Sequence, residues 1–319
     1  MRRTPPSLGE LRRGSSPAKP GRGSLIKVSG SGLFKRVPAM QKIETITEMR
    51  DAAAELRKGG RRVALVPTLG ALHAGHASLI RLAGSDGSAV VVSTFVNPLQ
   101  FGASEDFTKY PRTATADALL AEKEGVALLF APSSEEMFPK GFSTVVHEDM
   151  ISKPLCGLTR PALFRGTLTC WLKLFNIILP DVLVLGEKDV QQVAVVRKTI
   201  SDLLVPIKIV TCPVVRDADG LSISARNNYL TPSQRDEALA VVKALRKAKE
   251  MVEQGVKSTD RLVAEATHII SQKRRLRMIY ISVVDSHTME QIREVAPGEC
   301  LMAISFWVDE VRLTDNMPL

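Results

Sequence analysis

Short apolar runs alternate with longer amphipathic segments from residue 63 onward. The predicted strands cover 63–66, 89–96, 126–130, 181–185 and 207–210, and the predicted helices begin near residue 72 or cover 114–124, 166–178 and 190–204. Strands that are apolar on both faces are typical of a parallel sheet covered by helices on either side. The pattern therefore predicts an α/β fold with a doubly wound, Rossmann-like parallel sheet.

The pattern changes after residue 213, where a polar loop leads into a strong helix start. Thr231, Pro232 and Gln234 stand at the N-cap, N1 and N3 positions of a capping box. Helices are predicted at 233–254 and 260–273, followed by antiparallel strands at 278–284 and 301–308. We therefore expect three regions: a basic extension at 1–39, a Rossmann-like domain at 40–212 and a smaller α+β C-terminal lid domain at 213–319.

The net charge of +9 is concentrated in the N-terminal extension. Residues 1–39 contain nine Lys or Arg and a single acidic residue, Glu10, so this segment carries +8 and leaves about +1 for residues 40–319. A nearly neutral body gives no electrostatic reason to expect binding to nucleic acid. The high isoelectric point is a property of the extension.

The extension is rich in Gly, Ser, Pro and Arg and has no periodic apolar positions, so we expect it to be disordered. Three interpretations stay open: an organelle transit peptide, a plain extension, or an upstream start codon before Met40. Four cysteines without paired spacing indicate reduced thiols and a cytoplasmic or organelle compartment. The apolar runs are far shorter than the roughly 18 residues that cross a bilayer, so no membrane association is expected.

The segment 65–76 is the most informative part of the chain. It joins a predicted strand through Gly70 to His73 and His76, whose spacing puts both imidazoles on one face of a helix's first turn. A helix N-terminus attracts phosphate through its unpaired N–H groups and its dipole. Two other interpretations stay open: surface histidines, and a zinc site, which would need further ligands from distant parts of the chain. The segment predicts nucleotide phosphate chemistry.

Ligands of open α/β sheets bind beyond the carboxyl ends of the strands, and four polar loops lie there: 67–76, 97–101, 186–192 and 222–227. In these and neighbouring segments the chain resembles the pantothenate synthetases, or pantoate:β-alanine ligases, of the HIGH-type nucleotidyltransferase superfamily. The shared motifs are Pro-Thr-x-Gly-x-Leu-His-x-Gly-His, Phe-Val-Asn-Pro-x-Gln-Phe, Tyr-Pro-Arg-Thr, Arg-Pro-x-x-Phe-Arg-Gly, Gly-Glu-Lys-Asp-x-Gln-Gln and Asp-Gly-Leu-x-x-Ser-x-Arg-Asn. They occur in the expected order over residues 40–319.

The resemblance implies an ATP-dependent enzyme that condenses pantoate with β-alanine through a pantoyl adenylate and releases AMP and pyrophosphate. It also implies Mg²⁺ with the ATP and a homodimer. The domain at 40–212 would bind ATP and pantoate. Two alternatives are a related nucleotidyltransferase and a catalytically weakened nucleotide-binding homologue. Gln100 and Gln192 argue against the first.

The resemblance assigns roles to individual residues. The catalytic residues would be His73, His76, Lys188, Ser224 and Arg226. The same five would bind ATP together with Pro67, Thr68, Leu69, Gly186 and Asp189. Gln100 and Gln192 would hold pantoate, and Asp117 would lie near the metal. Asp189 and Gln192 also fit a capping box at a helix start, and both roles are compatible.

Three positions depart from the family pattern. Leu69 replaces a methionine, which preserves apolar volume. Leu163 replaces a histidine expected near pantoate. Ala225 replaces a serine, and the loss of a hydrogen bond to a phosphate, worth roughly 1.5–3 kcal/mol, would lower activity about tenfold or more unless Ser224 and Arg226 compensate.

Overall fold

Two sheets with helices around them make up the computed structural model, which describes residues 39–102, 105 and 107–319. The strands are β1 (Gln41–Ile43), β2 (Val63–Thr68), β3 (Ala89–Thr94), β4 (Leu128–Phe130), β5 (Val182–Gly186), β6 (Lys208–Cys212), β7 (Leu276–Asp285), β8 (Cys300–Val308) and β9 (Val311–Pro318). The helices are α1 (Ile46–Lys58), α2 (Ala74–Gly84), α3 (Ala114–Lys123), α4 (Ser134–Met137), α5 (Cys156–Thr159), α6 (Ala162–Ile178), α7 (Val190–Asp202), α8 (Pro232–Glu253) and α9 (Thr259–Ser271). Residues 40–319 form one compact unit.

The larger sheet has the order β1-β4-β3-β2-β5-β6, and all its strand pairs are parallel. Successive side chains of a strand point to opposite faces, and β2 shows the result. Val63 and Leu65 belong to the core cluster that includes α6 and α7, whereas Ala64 and Val66 belong to the cluster that includes α2. Both faces of the sheet are therefore buried under helices, and the predicted α/β, doubly wound fold is confirmed.

The second sheet is antiparallel, in the order β7-β8-β9, and packs with α8 and α9 around a core of its own. The predicted capping box is present: the Thr231 hydroxyl accepts from the amide of Gln234, and the Gln234 side chain accepts from the amide of Thr231. These elements form the predicted smaller α+β part. The domain boundary at 212, and its lid function, stay predictions.

The observed elements differ from the predicted ones mainly where the sequence lacks a long apolar run. Strands β1 and β9 and helix α1 were not predicted, and α2 begins at Ala74 rather than near residue 72. The expectations about the N-terminal extension concern residues outside the described part. Within the described part, no helix is long and apolar enough to cross a membrane.

Candidate active site

The topological switch point of the larger sheet lies at β2, because β3 and β4 follow on one side of it and β5 and β6 on the other. Ligands of doubly wound sheets bind at such a point, beyond the carboxyl ends of the strands. A cavity of about 1270 Å³ lies there and is lined both by loops of the parallel sheet and by residues of β9. The loops after β2, β3 and β5 carry His73, Gln100 and Lys188 into its wall.

The turn after β2 is held by two internal acceptors. The Thr68 hydroxyl accepts from the amide of Gly70, and the buried carboxylate of Asp117 accepts from the amides of Ala71 and Leu72 at 3.1 and 2.8 Å. Ala71 has φ 51°, a left-handed conformation that costs energy for a residue with a Cβ. The carboxylate therefore fixes a strained turn immediately before His73.

Asp117 was predicted to lie near the metal, and the structure shows its oxygens in use for this turn. Its Oδ1 also accepts from the Thr113 hydroxyl at 2.9 Å. Among residues 39–102, 105 and 107–319 there is no cluster of three or more His, Cys, Asp or Glu side chains that could hold a metal ion. The metal role of Asp117 stays a prediction, and its bracing role is an independent observation.

The Asp117→Ala variant is expected to lose about 3 kcal/mol in its free energy of unfolding. Two part-buried N–H groups would lose their acceptor, and each such loss costs about 1–3 kcal/mol. Urea unfolding of this variant and of Glu122→Ala, an exposed change on the same helix, measures the difference. Unchanged stability combined with a raised Mg²⁺ requirement would instead favour the metal role.

The two histidines cap the start of α2 with their own side chains. The Nδ1 atom of His73 accepts from the amide of Gly75, and the Nδ1 atom of His76 accepts from the amide of His73, both at 3.2 Å. The rings stack with centroids 4.0 Å apart. A backbone N–H is always a donor, so each Nδ1 is unprotonated and each neutral ring carries its proton on Nε2.

The geometry refines the predicted phosphate site. Two of the orphan amides at this end of α2 are already occupied by imidazole nitrogens, so they are not free to bind a phosphate. The donors that the histidines offer are the two Nε2–H groups, and both rings line the cavity. His73 itself precedes the helix as its N-cap, in extended conformation.

In the ligand-free protein both imidazoles are expected to stay neutral, with Nε2 protonated, at pH 5.5. Burial, reinforced by the Lys188 cation, lowers the pKa of His73 to about 4, and burial and then the His73 ring lower that of His76 to about 3. Nitrogen-15 NMR of the imidazoles measures tautomer and charge. Because an unfolded histidine binds its proton near pH 6.5, acidification from there toward pH 3 should also destabilise the fold. Titration near pH 6.5, or an Nδ1–H tautomer, would contradict the capping geometry.

Lys188 lies in a 3₁₀ turn directly after β5, and the C-terminal sheet holds this turn in place. The side-chain amide of Asn316 donates to the carbonyls of Glu187 and Lys188, each at 2.9 Å. The Lys188 Nζ donates to the Thr314 hydroxyl at 3.4 Å and lies 3.9 Å from the Asp189 carboxylate. The ammonium group is partly exposed to the cavity.

The neighbouring Asp315 is buried and forms a two-bond ion pair with Arg216, at 2.7 and 3.0 Å. Arg216 also donates to the carbonyls of Gly220 and Asn316. This network ties β9 to the loop that leads toward Ser224. Strand β9 and the loop that leads toward Ser224 are therefore joined by an ion pair with further hydrogen bonds to backbone carbonyls.

The predicted capping box at Asp189 and Gln192 is wrong in one respect. Asp189 is the N-cap residue of α7, but its side chain makes no cap hydrogen bond. Its carboxylate is mostly exposed and lies 3.9 Å from the Lys188 ammonium. Gly186 has ordinary φ, and a Cβ there would make only a normal contact with Leu79, so its close approach to a ligand stays a prediction.

Gln100 is buried in the 3₁₀ turn after β3 and lines the cavity. Its Oε1 accepts from the Asn97 amide, which also donates to the carbonyl of Gly166 in α6. A Cβ on Gly166 would lie 2.2 Å from the Leu99 carbonyl oxygen, so only glycine lets α6 approach this turn. With Oε1 occupied, the Nε2 donors of Gln100 are the groups left for a ligand.

Gln192 also lines the cavity, and so does the preceding Gln191, whose side chain has a structural role. The Gln191 amide donates to the carbonyls of Ile151 and Pro154 and accepts from the amide of Cys156. Its side chain thus fixes the segment that leads into α5. The Gln191 side-chain amide is therefore used by the scaffold, which leaves Gln192 as this motif's candidate for ligand binding.

The remaining predicted residues also lie in the cavity wall. The Ser224 hydroxyl accepts from the amide of Arg226 and caps the 3₁₀ turn Ala225–Tyr229, and the Arg226 guanidinium lies over the Tyr110 ring. Leu163 and Ala225, two of the three departures from the family pattern, are buried and line the same cavity. Pro67, Thr68 and Leu69 line the cavity at the end of β2.

Sequence reasoning missed the cavity residues of β9. Arg312, Thr314 and Asn316 follow one another at every second position and therefore share one face of the strand. The alternation of apolar and polar residues from Val311 to Thr314 was the available signal. Arg160 and Tyr280, which also line the cavity, were not singled out either.

Comparison with known proteins agrees with this site. The family described as pantoate-β-alanine ligase matches residues 41–318. The pantothenate synthetase of Heliobacterium modesticaldum is 46% identical over 278 residues, which cover 87% of this chain and 99% of the relative. The one from Thermotoga neapolitana is 42% identical over 277 residues, with the same coverage of both chains.

Solved structures give the same result. The pantothenate synthetase of Thermus thermophilus superposes with a TM-score of 0.83 at 36% identity, covering 88% of this chain and 99% of that one. The pantoate-β-alanine ligase of Francisella tularensis, solved with β,γ-ATP and β-alanine, has a TM-score of 0.71 at 31% identity, with 88% and 98% covered. From its sequence, its fold and the arrangement of its cavity, the chain belongs to the pantoate-β-alanine ligase family of enzymes.

Proposed function

We propose that this protein condenses pantoate with β-alanine at the expense of ATP, through a pantoyl-adenylate intermediate. The proposal rests on one observation: hydrogen-bond donors suited to phosphate and side-chain amide donors lie together at the switch point of the larger sheet. The Nε2–H groups of His73 and His76 and the ammonium of Lys188 lie in the same cavity as Gln100 and Gln192. Such a site suits a nucleotide phosphate beside a small hydroxy acid.

In the first step a pantoate carboxylate oxygen attacks the α-phosphorus of ATP. The bond from that phosphorus to the bridging oxygen breaks, and pyrophosphate leaves with the electron pair. In the second step the neutral amine of β-alanine attacks the acyl carbon, the bond to the phosphate oxygen breaks, and AMP leaves while the nitrogen loses a proton. Both steps need fixed partners and stabilised phosphate charge.

Different residues stabilise the phosphate charge and hold the reaction partners. Fixed, neutral Nε2–H donors on His73 and His76 bind phosphate oxygens without a change of protonation, because their Nδ1 atoms are already committed. Lys188 adds a point charge, and Arg226 adds a forked donor from the other side of the cavity. The Nε2 donors of Gln100, together with Gln192, orient the pantoate carboxylate and hydroxyl groups.

The C-terminal part would act as a lid that keeps water from the reactive adenylate. Its contribution to the cavity wall supports this role: Ser224 and Arg226 line one part, and β9 lines another. Contacts from Asn316 and Thr314 to the Lys188 turn couple the lid to the phosphate site. Movement of the lid would therefore move the loop that carries a phosphate cation.

Magnesium would enter with the ATP. Mg²⁺ usually keeps several waters and is held by substrate phosphates plus one or two carboxylates. The Asp189 side chain is 59% exposed, and within the described part of the chain its ion pair is the long one to Lys188, so its oxygens would be accessible to a Mg²⁺-bound water. When bound, the ion supplies charge neutralisation on the leaving pyrophosphate.

The proposal includes a homodimer and a cytoplasmic or organelle location, both on grounds of family and cysteine usage. Light scattering of the purified protein tests the first, and mass spectrometry of the mature N-terminus in its native cell tests the second. A molar mass near twice the 34.8 kDa of the chain is expected.

The activity itself is tested by product analysis. Incubation with ATP, Mg²⁺, pantoate and β-alanine should give pantothenate, AMP and pyrophosphate in equal amounts, and omission of pantoate should stop AMP formation. Leu163 and Ala225 favour one alternative, a homologue that binds nucleotide without turnover. ATP binding by calorimetry without any of the three products would decide for that alternative.

A further inference from the structure

The cavity is lined by five Lys or Arg side chains of the described residues: Lys109, Arg160, Lys188, Arg226 and Arg312. Lys188 and Arg226 have been assigned to phosphate. Lys109 is exposed, and Arg160 is neutralised by Glu105 through two bonds, Nε to Oε1 at 2.5 Å and Nη2 to Oε2 at 2.6 Å. Of these five, Arg312 is the one that is neither exposed, nor paired with a carboxylate of the described residues, nor assigned to phosphate.

Arg312 is the second residue of β9, and its side chain has one hydrogen bond, from Nη2 to the Thr159 hydroxyl at 2.9 Å. Within residues 39–102, 105 and 107–319 it forms no ion pair. The remaining N–H groups of its guanidinium fork are therefore available on the cavity side. Two other partly buried arginines of the described residues differ: Arg160 and Arg216 each have a two-bond carboxylate partner.

The surroundings of Arg312 make this lack of an anion costly. Burial lowers the pKa of the guanidinium, and the neighbouring cation of Arg160 lowers it further. The adjacent Tyr280 phenol contacts the Cys156 thiol at 3.1 Å, and burial raises the pKa of both groups, so neither supplies a negative charge near pH 7. The Glu105 carboxylate also acts on this guanidinium, but both of its oxygens are bonded to Arg160. A half-buried cation without a carboxylate partner of its own is unfavourable, and a bound anion would relieve it.

The proposed reaction brings three anionic groups into the cavity, and two of them already have partners. The triphosphate has His73, His76, Lys188 and Arg226, and the reacting carboxylate of pantoate has the amides of Gln100 and Gln192. The third is the carboxylate of the incoming amino acid, which takes no part in bond formation. We propose that Arg312 binds this carboxylate and so selects β-alanine over amines that lack it.

The spacing along β9 fits such a substrate. Thr314 contacts Lys188 at the phosphate site, and Arg312 lies two residues earlier on the same face, about 7 Å away, because an antiparallel strand rises about 3.4 Å per residue. β-Alanine has two methylene groups between its amine and its carboxylate. An amine that attacks the acyl carbon near the phosphate site would then place its carboxylate toward Arg312, where the guanidinium fork can hold both oxygens.

The inference rests on the proposed function. Measuring the two half-reactions separately distinguishes a failure of the inference from a failure of the proposed function. Pantoate-dependent exchange of labelled pyrophosphate into ATP, without β-alanine, reports adenylate formation alone. The Arg312→Gln variant should retain this exchange within twofold, while its KM for β-alanine should rise about 10- to 100-fold, the effect of losing charge-assisted hydrogen bonds. Arg312→Lys should lie between, because an ammonium keeps the charge and loses the fork.

A comparison of two amine substrates and a control variant make the test specific. The ratio of kcat/KM for β-alanine to that for propylamine, which has no carboxylate, should fall in Arg312→Gln by the same factor as KM rises. Arg261→Gln is the matched control, since Arg261 is exposed on α9 beside the same sheet and outside the cavity lining. The control should leave both the ratio and the KM unchanged.

An unchanged KM for β-alanine in Arg312→Gln would overturn the inference. So would a loss of exchange together with a raised KM for ATP, because Arg312 would then belong to the phosphate site. If Arg312→Gln fails to fold, Arg312→Lys decides by the same readouts. Absence of exchange in the unmodified protein would refute the proposed function instead.

Discussion

The Lys188→Ala variant is expected to form pyrophosphate from ATP and pantoate about 100- to 1000-fold more slowly than the unmodified protein, with β-alanine saturating. Preorganised charge at a site of developing phosphate charge is typically worth this factor. Lys188 suits the role because its turn is fixed by Asn316 and because, among the described residues, its ammonium has only long polar contacts, at 3.4 Å to Thr314 and 3.9 Å to Asp189. Stopped-flow or coupled pyrophosphate assays give the rate.

Lys198→Ala is the matched control for this experiment. Lys198 lies on α7 beyond the same loop and pairs with Asp202 on the helix surface, so its removal should change the rate less than twofold. Equal rates for Lys188→Ala and Lys198→Ala would show that Lys188 does not act on the phosphates.

The second large effect is expected at His76, where two substitutions separate its two nitrogens. In His76→Asn the side-chain oxygen can take the place of Nδ1 and accept from the His73 amide, while the donor toward the cavity is lost. In His76→Gln the amide nitrogen can take the place of Nε2–H, while the cap is lost. If the Nε2–H donor carries the effect, His76→Asn should slow pyrophosphate formation about 100- to 1000-fold.

His76→Gln should retain more of the rate and instead lose about 1 kcal/mol of stability, the usual value of a cap. Urea unfolding and pyrophosphate release measured on the same preparations give both quantities. The reverse order, with a fast His76→Asn and a slow His76→Gln, would assign the role of His76 to the cap alone.

The loops at the switch point could be predicted from sequence because their signals are local. An apolar strand followed by a glycine turn and two histidines predicts where a parallel strand ends, and parallel strands end at one edge of a sheet. The motifs after β2, β3 and β5 therefore met in one cavity as expected. The local pattern also sufficed for the Thr231 capping box.

What could not be predicted depends on contacts between distant segments. Asp117 looks like an exposed helix carboxylate in sequence, and only its contact with the turn at Ala71 shows its bracing role. Strand β9 contains Asp315 and Asn316, polar residues that can be buried only because Arg216 and the Lys188 turn satisfy them. These hydrogen bonds come from residues that are distant in the sequence. The sequence of β9, which includes the cavity residue Arg312, therefore shows no strong apolar pattern.

The Asp189 side chain shows a limit of the local pattern itself. A capping box was expected, but the carboxylate makes no cap hydrogen bond and lies 3.9 Å from the ammonium of the adjacent Lys188. A cap and an exposed ion pair each contribute about 1 kcal/mol or less, so the sequence pattern alone does not decide between them.

The central claim, that pantoate is activated as an acyl adenylate in this cavity, is tested most directly by isotope transfer. Pantoate labelled with oxygen-18 in its carboxylate is incubated with the protein, ATP, Mg²⁺ and β-alanine, and the AMP is analysed by mass spectrometry. Attack of the carboxylate on the α-phosphorus predicts one labelled oxygen in each AMP formed. Unlabelled AMP produced together with pantothenate would show that no pantoyl adenylate forms and would contradict the claim.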